Sequence, residues 1–187
     1  MAILKIARMG HPVLATPAKA VADPRDSEIR RLVKDMVETM MDANGAGLAA
    51  PQVHVPLRVV VFQAPGERAD PGLAEEERFD HTAPQTVLIN PEIEVLGPEI
   101  QGGWEGCLSV PGLRGWVERP AHIRYRGLGL DGETIERVAR GFHARVVQHE
   151  CDHLDGRLYT SRISDMSRLI FESEIRHFNS NEGQTAS

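Results

Sequence analysis

Gln148-His149-Glu150-Cys151-Asp152-His153 is the stretch that decides how this chain is read. Two histidines stand four residues apart, with a glutamate directly after the first. On a helix of 3.6 residues per turn, His149 and His153 lie roughly 40° apart around the axis and about 6 Å apart along it. One metal ion can therefore meet both imidazoles from the same face. Glu150 is turned about 100° from His149, so it can stand beside the metal and take a proton from water without being a ligand. The combination His-Glu-x-x-His is specific when it falls on a helix. A surface helix that carries two histidines by chance is the weaker account. Cys151, roughly 200° from His149, points away from the metal and reads as a structural thiol.

The surroundings favour a helix. The run Ala139 to His153 holds no proline, and its one glycine, Gly141, lies near the start. Phe142, Val146 and then His149 or Glu150 recur at helical spacing. Gly156 is a stop signal.

A catalytic metal site usually has three protein ligands and an open position. The third must come from elsewhere in the chain. Cys107, in Gly103-Trp104-Glu105-Gly106-Cys107-Leu108-Ser109-Val110-Pro111, is the best available, because zinc and ferrous iron both accept one thiolate with two imidazoles. Taken alone, it would read as a buried free cysteine. A histidine six residues beyond His153 is the ligand in one class of protease, but Tyr159 holds that place. Glu172 or Glu174, further along, would serve a zinc endopeptidase, although both suit the polar face of a last helix better. A third possibility is a non-catalytic peptide- or ribosome-binding module whose structural metal is closed by Cys151 or Tyr159.

The whole chain sets bounds on these readings. Its 187 residues suit one domain with a full-sized core. Hydrophobic residues make up 41% and charged residues 26%, as in ordinary globular proteins. The net charge of −6 argues against a dedicated nucleic-acid binder. Cys107 and Cys151 are too few for a disulfide framework and fit a reducing compartment. The opening Met1 to Gly10 is interrupted too soon for a signal peptide. No apolar run reaches the length of about 18 residues that a membrane span needs. The expectation is a soluble, cytoplasmic protein.

In chain order, residues 3–21 read as an extended arm held on the core by Ile3, Leu4, Ile6, Val13, Leu14 and Val21. Residues 25–43 are the clearest helix, with Ile29, Leu32, Val33, Met36, Val37, Met40 and Met41 as its apolar stripe. Asp23-Pro24 or Asp26 caps it, and Asn44-Gly45 ends it. In Gly45-Ala46-Gly47-Leu48-Ala49-Ala50-Pro51-Gln52, the glycines let another chain approach closely. The Gly-Lys-Ser/Thr ending of a phosphate loop is missing. Arg58–Phe62 is a buried strand. Residues 64–85 read as an exposed loop with a charged tip. Thr86–Asn90 and Glu92–Leu96 are strands broken by Pro91, and residues 113–138 alternate as strands around an Asp131-Gly132 hairpin turn. Residues 163–178 form a second amphipathic helix, and 179–187 a disordered polar tail. The layout is α+β: antiparallel sheets packed around a central metal-binding helix, with an N-terminal and a C-terminal helix.

The three stretches 45–52, 105–109 (Glu-Gly-Cys-Leu-Ser) and 148–153 resemble, in order, the three motifs of the peptide deformylase family. The resemblance runs from the N-terminal arm to about residue 160, and three separated motifs together are very specific. It implies removal of the formyl group from the N-terminal formyl-methionine of new proteins. Cys107, His149 and His153 would hold one divalent metal, Fe2+ in the cell, with Zn2+, Ni2+ or Co2+ as replacements. Glu150 would be the general acid and base, and the Gln52 amide and Leu108 backbone N–H the oxyanion donors. The peptide would lie extended near Gly47 and along the stretch after Cys107. Phe142 and Val146 would line the methionine pocket, with Ala46 as a wall. Glu105 and Arg114 would pair with each other at its mouth. Gln148 and Asp152 are candidates for orienting the imidazoles. The partners implied are formyl-methionine nascent chains and the ribosome near its exit tunnel. Glu172 and Glu174 among Arg162, Arg168 and Arg176 argue against a docking role for the last helix. The other histidines (His11, His54, His81, His122, His143 and His177) show no ligand spacing.

Overall fold

The computed structural model describes residues 2–69, 72–75 and 78–182. A five-stranded antiparallel sheet is built from β1 (Gly47–Ala49), β2 (Val59–Ala64), β3 (Ala83–Val95), β6 (His122–Leu128) and β7 (Thr134–Arg140), in the order β1-β2-β3-β6-β7. A second, three-stranded sheet has the order β4-β5-β8, from β4 (Ile100–Cys107), β5 (Val110–Pro120) and β8 (Leu169–Phe171). The helices are α1 (Ser27–Asp42), α2 (Arg78–His81), α3 (Gly141–Leu154) and α4 (Ile175–Glu182). Among the described residues, no helix is long and apolar enough to cross a membrane.

Strand β2 shows how the core is layered. Successive side chains of a strand point to opposite faces. Val60 and Phe62 pack with Val146, Val147 and Cys151 of α3, while Val59 and Val61 pack with Met36 and Met40 of α1. Both faces are covered, which is why this strand reads as an unbroken apolar run. Helix α3 is thereby held against one face of the larger sheet. Its other side meets the three-stranded sheet, where Val110, Val117 and Tyr159 form a smaller apolar cluster.

Helix α1 begins at Asp26, whose carboxylate accepts from the Glu28 N–H, and ends at Asn44, left-handed at φ 51°. Of its expected stripe, Met41 instead lies in solvent. In the N-terminal arm Leu14 and Val21 are buried, while Ile3 is exposed. Main-chain bonds from Ala7 to Gln52 and from Met9 to Ser109 carry the arm's attachment instead. The two strands expected on either side of Pro91 are one strand, β3, with its register shifted between Ile89 and Glu92. Asn90 makes the bend at φ 52°. Its side chain clamps the arm by accepting from the Val21 N–H and donating to the Val21 carbonyl.

Two segments differ from expectation. Residues 163–178 are not one helix: a 3-10 turn at Met166–Arg168 leads into β8, which pairs with Leu113–Gly115, and α4 starts only at Ile175. The apolar residues there serve a strand edge as readily as a helix face, and pairing with β5 decides the outcome. Residues 179–182 belong to α4, and the rest of the expected tail, 183–187, lies outside the described residues. The 64–85 segment holds α2, whose Asp80 carbonyl accepts from Nδ1 of the buried His143 on α3 (2.9 Å). The Tyr125 hydroxyl donates to the other ring nitrogen (3.1 Å).

His143 is thus bonded as a neutral ring. Burial, helped by the nearby Arg137 cation, lowers its pKa from the ordinary 6.5 to about 4. An unfolded chain binds this proton more readily, so stability present above pH 6.5 is lost as the pH falls toward 4. The expected loss from this group is on the order of 2–3 kcal/mol. Urea unfolding at pH 7 and pH 4.5 reads it, and His143→Gln should flatten the difference.

Candidate active site

Helix α3 places the sequence-predicted metal ligands. Gly141, at φ 54°, turns the chain from β7 into the helix. His149 and His153 then project toward the end of β4, where Cys107 sits. The three ligand atoms lie within 4.8 Å of one another. Cys107 Sγ is 3.3 Å from His153 Nε2. Cys151, on the far side of the helix, is part of the apolar core, and burial pushes its thiol above the usual range. Neither Glu172 nor Tyr159 belongs to the ligand group: Glu172 pairs with Arg114, and the Tyr159 ring stacks on His149 with centroids 6.1 Å apart.

The donor set fits one divalent cation. One sulfur and two imidazole nitrogens converge, with the Glu105 and Glu150 carboxylates beside them. Burial alone would lower the proton affinity of His149. Hydrogen bonds with Cys107 and Glu105, and the charges of Cys107 and Glu150, outweigh it and hold the pKa well above the ordinary value. The field that favours a proton there also favours a metal cation. His153, by contrast, is held well below the ordinary range by burial and by His149, and so is neutral.

Glu150 stands beside the three ligands. It is 4% exposed, and its Oε2 has no hydrogen-bond partner. Burial pushes its pKa up to about 7. Gly47 of β1 lies directly against this carboxylate, where any Cβ would collide with it. The carboxylate is therefore packed in place with one oxygen unsatisfied, as suits a group that exchanges protons with a reactant. Gln52 is also fixed. Its Oε1 accepts from the Ala49 N–H, and its Nε2 donates to Ser109 Oγ (3.2 Å) and reaches Cys107 Sγ (3.5 Å).

Glu105 does not pair with Arg114. Cross-strand partners share a face, and Glu105 pairs with Gly115, so Arg114, one residue away, points to the opposite face. On the inner face Glu105 accepts two hydrogen bonds from Arg119 (2.6 and 2.8 Å) and one from Arg145 (2.7 Å). Its Oε2 also binds Nδ1 of His149 at 2.8 Å, leaving Nε2 of that ring for the metal. These partners overcome burial and hold Glu105 well below the usual carboxylate range. Arg119 goes on to Asp152 (2.9 Å), which also binds Arg162. Asp152 thus reaches a ligand only through Arg119 and Glu105. Gln148 bonds the Pro120 and Ala144 carbonyls and touches neither histidine. Sequence reasoning missed Arg119. The signal was its place fourteen residues after Glu105 across a hairpin whose register the sequence does not state.

A cleft of about 570 Å³ leads to this group. Ala46 and Gly47 line one wall, beside β1, the edge strand of the larger sheet. Residues of β4, an edge strand of the smaller sheet, line another, and Phe142 and Val146 form an apolar part of the lining. Arg114 lies on the rim over Gly106.

Two histidines and a buried glutamate on a helix between two antiparallel sheets, with a cysteine from the end of β4, are the pattern of a metal-dependent hydrolase. The polypeptide deformylase family model matches residues 3–169, and the chain belongs to that family. Peptide deformylase 2 of Pseudomonas syringae pv. tomato is 54% identical over 147 residues, which cover 78% of this chain and 77% of that one. A class I type b peptide deformylase from Acinetobacter baumannii, solved with Met-Ala-Ser bound, superposes with a TM-score of 0.75. It is 38% identical and is matched over 87% of this chain and 99% of its own. The peptide deformylase of Ehrlichia chaffeensis gives a TM-score of 0.80 at 32% identity, over 97% of each chain.

Glu105→Gln should weaken metal binding about 10- to 100-fold, because it loosens the ring that carries one ligand. Competition with a chelator, followed by metal analysis, measures this. Arg119→Leu leaves two carboxylates buried without their shared partner and should lower stability by about 3–5 kcal/mol in urea unfolding.

Proposed function

We propose that this chain removes the formyl group from the N-terminal formyl-methionine of newly synthesised proteins and releases formate. The observation that carries the reading is the unpartnered, buried carboxylate oxygen of Glu150 beside the Cys107, His149 and His153 group at the end of a cleft. Those three residues would hold one divalent ion, Fe2+ in the cell, with Zn2+, Ni2+ or Co2+ able to replace it. When bound, the ion supplies Lewis-acid chemistry that makes water nucleophilic near neutral pH.

The rest falls to the chain itself. Glu150 accepts the proton of the attacking water and returns one to the leaving amine. Gln52 Nε2 and the Leu108 backbone N–H face the oxygen of the former formyl carbonyl as negative charge develops there. Holding Gln52 at both ends of its amide makes it a donor placed in advance. The peptide lies extended in the cleft, pairing with the free edge of β1 near Gly47 and passing the stretch after Cys107. Phe142 and Val146 receive the methionine side chain, with Ala46 as a wall. Arg114 meets the chain at the rim. Glu105 acts on the substrate only through His149 and Arg145. The proposed setting is the cytoplasm, where nascent chains leave the ribosome. The peptide that the Acinetobacter relative holds supports a methionine-first ligand.

Formate release from a short formyl-methionine peptide, with intact casein in parallel, tests the reading. Formate without casein cleavage is the expected result; casein cleavage without formate would overturn it. Glu150→Gln should abolish formate release while metal content stays at one ion per chain. Cys107→Ala should lose the metal. Gln52→Ala should cost about 10²–10³ in kcat.

A further inference from the structure

Four arginines line the cleft: Arg8, Arg68, Arg114 and Arg145. Two are neutralised. Arg145 is bound to Glu105 and to the Val117 and Gln101 carbonyls, and Arg114 is bound to Glu172. The other two are exposed, and their side chains have no hydrogen bond or ion pair among the described residues. Arg8 comes from the N-terminal arm, next to the main-chain bond between Met9 and Ser109. Arg68 closes the 3-10 turn Gly66–Arg68 directly after β2, with Ala69 buried behind it. Its guanidinium carbon sits 5.0 Å from the centroid of the Phe142 ring. On a chain of net charge −6, the mouth of the cleft therefore keeps two cations that form no ion pair among the described residues. The carboxylates of the lining, Glu105, Glu150 and Glu172, are buried or bound to arginine, so the two exposed cations at the mouth attract ligands of the other sign.

We propose that this rim makes the enzyme selective for nascent chains with an acidic side chain at the third position, read by Arg68. The inference rests on the deformylase reading above. An extended peptide alternates its side chains and rises about 3.3 Å per residue. The third side chain therefore leaves on the same side as the methionine, about 6.6 Å further out. Phe142 lines the methionine subsite, and Arg68 lies over the outer face of that ring. A carboxylate at the third position meets the planar fork of donors that guanidinium offers. A lysine there meets a like charge. Arg8 adds to the field without contacting the same side chain. The 64–85 segment is on this account a reader of sequence, because it carries Arg68 to the cleft.

The test uses formyl-Met-Ala-Asp, formyl-Met-Ala-Asn and formyl-Met-Ala-Lys as C-terminal amides, so that no terminal carboxylate competes. The readout is the ratio of kcat/KM values within each protein, which a general loss of activity does not change. Asp should exceed Asn by about threefold, the size expected of a partly exposed ion pair, and Lys should fall below Asn. About 0.5 M salt should collapse the spread. Arg68→Glu should reverse the order of Asp and Lys, and Arg68→Gln should level it. Arg8→Glu should narrow the range and leave the order standing. Equal rates for the three peptides, or an unchanged order in Arg68→Glu, would overturn the inference and leave the deformylase reading intact. No formate from any peptide would overturn both.

Discussion

The Glu105 carboxylate is the contact on which the site depends. It is almost wholly removed from water, and it binds Arg119, Arg145 and His149 together. These groups belong to β4, β5 and α3, so one carboxylate ties the smaller sheet to the central helix. Burying such charges is expensive, and a set of apolar residues of the same volume would often be as stable. What the charges provide is direction. Each guanidinium or imidazole N–H has one geometry that satisfies Glu105. The His149 ring, once Nδ1 is engaged there, presents Nε2 to the neighbours of Cys107. The network continues through Asp152 to Arg162 after the helix, so the orientation of one ligand is supported along one face of α3.

Glycines set how closely the layers approach this centre. At Gly47 the strand backbone touches the Glu150 carboxylate. Gly115 does the same for Tyr159 and Ile163, and Tyr159 in turn stacks on His149. A methyl group at Gly47 would push its strand away from α3, and one at Gly115 would push β5 away from the segment that carries Tyr159 and Ile163. The glycine-rich motifs on either side of the site therefore reflect packing distance more than backbone flexibility, since neither of these two residues has a positive φ.

Much of this was legible in the sequence, because local chemistry encodes it. The period of α1, its Asp26 cap and the four-residue spacing of His149 and His153 need only a helix to be read. Cys107 became readable through its company in the three-motif resemblance. The parts that were not legible depend on pairing between distant segments. Strand β4 is a run of glycines, a tryptophan and a glutamate, and no alternation marks it. The partner of Glu105 follows from hairpin register: a shift of one residue exchanges Arg114 for the face that carries Arg119. Strand β8 forms because β5 offers an edge, so residues 163–178 looked helical on their own. His143 gave no signal because its partners, Asp80 and Tyr125, come from elements far away in sequence.

Two sheet edges and the 64–85 segment meet at the cleft, and this explains its mixed character. The edges of β1 and β4 offer main-chain groups, which bind any peptide backbone and read little of its sequence. On the proposed reading, the apolar lining from α3 receives one side chain. Neither source supplies charge at the rim, because the charged groups near the centre are already committed to one another. Arg114 of β5 is paired with Glu172 from the turn after β8, and the remaining rim charge comes from segments outside the two sheets, Arg8 from the arm and Arg68 from the 64–85 segment. The described parts of the 64–85 segment are held by the turn at Gly66–Arg68 and by the bond of the Asp80 carbonyl to His143. A segment anchored in this way can hold a side chain over Phe142 while the metal ligands, fixed by a separate network, stay where they are. On the proposed reading, the charges that meet the far end of the peptide and the residues that hold the metal come from different parts of the chain, and a change in one can leave the other standing.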